Sequence, residues 1–225
     1  MVSKAATEAN RVRRHFELER RKFQRALPKA IKNAAKSSGW RTSQGVLFRE
    51  CEGWFVEVHA IPWVAEPKTP AHLHCKPMAL DPLFWKIVHL DENVQQPLSF
   101  RVFGAFTCRT PPLLEMDIPE EGGSPERTAH NLVVWATEQL PALGSTQTIN
   151  AFVEFLQTYP SLADSHLPAL VTGLLLQGMD QEALARCKKT TGIGGFVFAG
   201  GDKTKTFIDL AIEWIIGAGP LRVVD

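Results

Sequence analysis

At 225 residues the chain is long enough to bury a core of its own, as one large domain or two small ones. Its 44% hydrophobic and 22% charged residues are the balance of a globular protein, which excludes a disordered or fibrous one. The net charge of +1 conceals a division: residues 1–40 carry eleven Lys and Arg against three acids, +8, so the other 185 residues sum to −7.

The first region reads as helix. Phe16, Phe23, Leu27, Ile31 and Ala34 recur at helical spacing, with basic residues around the remaining face. Pro28 lies inside the pattern and predicts a kink, or a fresh helix from Lys29, because proline removes a donor and crowds the preceding turn. Gly39 is the stop signal. Charge sign alone names no partner for this basic arm, and the plain reading is a solvated helix face. Its charges are spread with no unbroken apolar run, so no secretory signal is expected.

The second region reads as strands. Val46–Cys51 and Trp54–Trp63 flank Glu52-Gly53, a tight hairpin turn. In the second run Trp54, Val56, Val58 and Ala60 share one face, and Phe55, Glu57, His59 and Ile61 the other. Ala71–Lys76 alternates again, setting His72, His74 and Lys76 against Leu73 and Cys75, and Pro77 ends it. Asp81-Pro82 reads as an N-cap and first-turn proline for a short helix through Phe84, Ile87 and Val88. Leu98–Thr110 is expected to be the fourth strand. The third region, Leu113–Pro125, reads as an acidic loop and linker carrying Glu115, Asp117, Glu120 and Glu121.

The fourth region reads as helices. Ser124-Pro125-Glu126 is a cap, a first-turn proline and an acid. Further helices are expected over Thr148–Gln157, Leu162–Gln177, Gln181–Lys188 with Asp180 as cap, and Lys203–Ile216. The apolar run Leu167–Met179 is too short for a bilayer, which needs about 20 helical residues. Cys51, Cys75, Cys108 and Cys187 are scattered with no CxxC pair and read as reduced thiols. The expected location is the cytoplasm. The expected fold is α+β, an antiparallel sheet with an N-terminal helix packed on it and a helical C-terminal half. Residues 1–121 form the sheet-containing part and 122–225 the helical part, packed as one compact unit.

Catalytic signals are weak. The stretch "GFVFAGGDKTKT" has Gly195 and Gly200 at phosphate-loop spacing, but Gly201 and Asp202 separate them from Lys203-Thr204, and Asp202 sets a carboxylate where an anion should bind. It reads instead as an extended segment, a glycine turn and a helix capped by Asp202 or Thr204, burying Phe207, Leu210, Ala211 and Trp214. His72, His74 and a cross-strand His59 are the alternative, a zinc set for a metal-dependent hydrolase, if the strand register allows it. No Gly-x-Ser-x-Gly elbow is present, and no cofactor is expected. The arm has charge for nucleic acid but no stacking platform or motif, so nucleic acid is the lesser expectation and only through that arm.

Binding is the better-supported expectation. Trp63, beside Pro62 at a strand end, is the tryptophan expected to be exposed. The acidic loop (Glu115, Asp117, Glu120, Glu121) and the polar sheet face (Glu57, His59, His72, His74, Arg101) form the expected contact surface, suited to a basic site on another protein. The order "SSGW", "GVLFRECEGWFVEVHAIPW", "KPMALDPLFWKI", "PLSFRVFGAFT" and "GGDKTKTFIDLAIEWI" resembles a bacterial family of uncharacterised domains often associated with toxin immunity. The resemblance spans Phe16 to Trp214 in layout. It implies a stoichiometric binder of a cognate toxin protein that occludes the toxin's active site, not an enzyme. No membrane partner is expected.

Overall fold

The computed structural model describes residues 4–102, 106–146, 148–160, 164–190, 197–200 and 203–217. Helix α1 (Lys4–Ala34) leads into strands β1 (Arg41–Ser43), β2 (Val46–Cys51), β3 (Trp54–Ala60) and β4 (Thr69–Pro77). Helix α2 (Leu80–Ile87) and two 3-10 turns, at Asp91–Gln95 and Leu98–Arg101, precede strand β5 (Leu114–Ile118). Then come α3 (Pro125–Thr146), α4 (Ile149–Thr158), α5 (Leu167–Leu176), α6 (Asp180–Lys189), the hairpin β6 (Val197–Gly200) and β7 (Lys203–Thr206), and α7 (Phe207–Gly217). The fold is α+β: an antiparallel five-stranded sheet in the order β1-β2-β3-β4-β5, an N-terminal helix and a helical C-terminal half. No described helix is long and apolar enough to cross a membrane.

Two compact units interleave along the chain. One comprises residues 1–49, 56–74 and 112–142, the other 50–55, 75–111 and 143–225. Each therefore draws on residues from both sides of position 121.

In the first unit, α1 runs as one helix through Pro28, not as two. Leu27, Ala30 and Ile31 are buried on either side of the proline, and that packing offsets the missing hydrogen bond. The turn Gln44-Gly45 joins β1 to β2 with positive φ at both residues, 50° and 85°, the backbone twist a two-residue hairpin favours. Gly45 has a second reason: a Cβ there would sit 3.0 Å from the Pro28 ring. Glu52-Gly53 makes the same kind of turn between β2 and β3, as the sequence predicts, with φ of 50° and 81°.

Three expectations fail here. Leu98–Thr110 is not a strand in its described residues: Leu98–Arg101 is a 3-10 turn opened by Pro97, and Phe100 packs on Trp85 with ring centroids 6.0 Å apart. The sheet instead takes its last strand from the region expected to be loop. Leu114, Met116 and Ile118 alternate with Glu115 and Asp117, and β5 pairs antiparallel with β4 (His72 with Glu115, Pro70 with Asp117). Phe16, expected in the core, is exposed; the buried face of α1 starts at Arg20 and Phe23.

Arg20 closes this unit. Its guanidinium grips Glu120 bidentately, Nη1 to Oε2 and Nη2 to Oε1, while Nε donates to the Trp63 carbonyl at 2.9 Å. The Thr69 hydroxyl donates to the same carboxylate, and the guanidinium lies 4.9 Å from the Phe23 ring centroid. Both charged side chains are almost wholly buried.

The second unit is mainly helical. Helix α5 is apolar all round and buried from Leu167 to Leu175, so it serves as the unit's axis. Thr148 caps α4 by accepting the Ala151 N–H at 3.1 Å. Asp180 is the first residue of α6 and Met179 its cap, one position earlier than expected. Lys203–Thr206 is strand, so α7 starts later than predicted. Its cap is Thr206, not Thr204, and Asp202 lies outside the described residues: Thr206 and Asp209 exchange hydrogen bonds in a capping box. Those bonds from Thr206 hold the Asp209 carboxyl below its usual range. Phe207, Leu210 and Ala211 are buried as predicted, and Trp214 is half-buried.

Removing one partner of the Arg20–Glu120 pair strands a buried charge. Glu120→Ala is expected to lower stability by about 3–5 kcal/mol in urea denaturation, whereas the double change Arg20→Met with Glu120→Leu should lose far less. A single variant no worse than an exposed substitution would contradict this placement.

Candidate partner-binding surface

The predicted contact residues separate into three groups. His72, Glu115 and Asp117 come together in one open cleft of about 360 Å³ in the first unit. Ile61, Trp63, Lys68, Pro70 and Met116 complete its lining. Glu121 is exposed elsewhere, 4.0 Å from Arg127. Glu57, His59, His74 and Glu120 are buried, and Arg101 belongs to the second unit.

The cleft follows from local chain geometry. The connection from β3 to β4 is closed by backbone bonds, Ile61 N–H to Pro70 O at 2.9 Å and Trp63 N–H to Lys68 O at 2.8 Å. Arg20 and Gln24 of α1 hold it, donating to the carbonyls of Trp63 and Pro62. Trp63 stays 44% exposed, as the sequence predicts, with the Lys68 ammonium 5.0 Å from its ring centroid. Lys68 also reaches Asp117 at 2.9 Å, an exposed pair that orders the rim more than it stabilises the fold. Ile61 and Met116 are exposed beside them. β5 is the last strand of the sheet order, so one edge of its backbone has no strand paired to it among the described residues.

The expected polar face is therefore mostly not a surface. Glu57, His59 and His74 are only 8%, 9% and 8% exposed. Glu57 and His59 approach to 3.4 Å, and the His59 and His74 rings pack edge to face with centroids 5.2 Å apart. His72 lies 6.4 Å from His74, centroid to centroid. Among the described residues no three His, Cys, Asp or Glu are grouped to hold a metal ion, so the zinc set expected as the alternative does not assemble there. Glu120, expected to face a partner, is instead spent on Arg20.

Arg101 serves a second buried polar centre, which sequence reasoning missed. Asp81, expected as a helix cap, is fully buried and takes Lys76 Nζ at 2.9 Å, Arg101 Nη1 at 3.4 Å and the Cys108 N–H at 3.0 Å. Lys76 also donates to the carbonyls of Arg101 and Cys108, which satisfies its ammonium. Its alternation with Leu73 and Cys75 placed it on a strand. Nothing in sequence spacing showed that it faces inward.

Three of the four thiols, Cys75, Cys108 and Cys187, are buried. All four cysteines are free. Burial pushes Cys75 up to about 12 and Cys187 up to about 11. Burial, then the nearby Asp81 carboxylate, pushes Cys108 well up. No protein-family model, curated protein or solved structure matches the chain.

Two outcomes follow for the thiols. An aromatic disulfide reagent should modify the half-buried Cys51 first and the other three only after denaturation. Above the ordinary thiol value of 9.0 the unfolded chain releases protons that the native state keeps, so stability falls as pH rises toward the native values. The urea midpoint should drop through that range, and Cys75→Ala should flatten the drop; an unchanged slope would contradict it.

Proposed function

We propose that this chain is a cytoplasmic protein that binds and neutralises a cognate bacterial toxin by occluding its active site. The observation that carries the reading is the cleft, where an exposed tryptophan with apolar neighbours sits beside Glu115 and Asp117 on an edge strand. Aromatic anchors of this kind dominate interface energies, and flanking acids suit a basic catalytic surface, steering it in and rejecting wrong partners. Support for a toxin as the partner comes from the layout resemblance. Glu121 adds acid near the end of β5, but Glu57, His59, His74, Glu120 and Arg101 are withdrawn from the contact set.

The test takes the reading frame next to this chain's own, which this reading expects to encode a large secreted protein with a variable C-terminal toxin domain. Co-expression should rescue growth from that domain, and the purified pair should associate. Trp63→Ala should weaken association by about 2 kcal/mol or more, close to thirtyfold. Glu115→Lys with Asp117→Lys should slow association and reduce its salt dependence. Zinc-dependent turnover by the purified chain alone, lost in His72→Ala, would overturn the reading.

A further inference from the structure

The outward face of α1 carries a row of cations that no acid answers among the described residues. At 3.6 residues per turn, Arg14, Arg21, Arg25, Lys29 and Lys32 fall within an arc of about 80°, opposite the buried Phe23, Leu27 and Ile31. All five are exposed. The helix holds three acids, and each is taken by another cation: Glu8 by Arg11 at 3.8 Å, Glu17 by Arg13 at 2.9 Å, Glu19 by Lys22 at 2.8 Å. From Arg14 to Lys32 the row is about 27 Å long at 1.5 Å per residue. That length spans the axial rise of about eight base pairs of a duplex.

The surroundings of the row decide what it fits. It holds one large apolar residue, the exposed Leu18, and no aromatic, so it lacks the anchors around which protein interfaces form. A helix lying in a membrane surface needs a free apolar face, and here that face is buried in the protein from Phe23 onward. What remains is an evenly charged, rigid rod suited to a regular polyanion. We infer that this face of α1 binds the phosphate backbone of a nucleic acid without reading its bases. This activity is separate from the cleft and does not rest on it.

The probe is a fluorescein-labelled duplex of about 20 base pairs, titrated with the full chain between about 50 and 200 mM salt. With five phosphate contacts, log K should fall with log salt at a slope near −4.5, equally for unrelated sequences. Arg14→Gln, Arg21→Gln and Arg25→Gln together should shrink the slope by about three and weaken binding uniformly. The matching three Arg→Lys changes should keep it. Neutralising Lys86, Lys188 and Lys189, exposed lysines of the second unit, should leave it unchanged. Absence of duplex binding at the lowest salt overturns the inference. So does equal loss in the lysine control, or equal retention on polyglutamate or on phosphatidylserine vesicles.

Discussion

Arg20 sits on the apolar stripe of a helix, where a charge is expensive unless every donor is used. Here every edge of its guanidinium is engaged. Two nitrogens clasp Glu120, Nε meets the Trp63 carbonyl, and Nη2 lies 3.4 Å from the Lys68 carbonyl. That single group ties α1 to the β3–β4 connection and to the residues after β5. The backbone of Trp63 and Lys68 is thereby fixed from within, and their side chains are left at the surface. The cleft is thus a consequence of the clasp: a rigid inner carbonyl supports an exposed indole, and the indole carries the lysine that reaches Asp117. A buried ion pair adds little net stability over an apolar one, but it makes this arrangement hard to replace by another.

The same logic recurs in the second unit at Lys76, Asp81 and Arg101. There too the charge sits in the interior with its hydrogen-bonding capacity filled, by backbone carbonyls and by one backbone N–H. Each centre joins a helix residue, Arg20 of α1 or Asp81 of α2, to partners at strand ends and turns. Histidines on the sheet behave differently. His59 and His74 pack ring against ring, edge to face, and form no three-residue ligand group among the described residues.

Much of this was legible in the sequence where the signal is local. The Glu52-Gly53 turn and the Ser124-Pro125 start of α3 each follow from a few adjacent residues, and so does the exposure of Trp63. Strand β5 was legible too, since Leu114, Met116 and Ile118 alternate strictly, but four acids in the region argued for loop, as acids are poor strand formers. The run Leu98–Thr110 misled in the opposite sense: its Phe100 packs on Trp85, and Leu98–Arg101 is a 3-10 turn instead of a strand. Arg20 offered a hint, being in phase with Phe23 and Leu27. Its partner lies 100 residues away, and no pattern within one sequence joins them. That separation is why Glu120 was read with the surface acids.

Among the described residues the two buried ion-pair centres serve architecture, while the aromatic cleft and the basic face of α1 are left at the surface. Hydrogen–deuterium exchange of the chain alone and with the proposed toxin domain tests the central claim most directly. The account predicts new protection at 61–72 and at 114–118, with α5 and α6 unchanged. Protection confined to other segments, or none in a complex that forms, would contradict it.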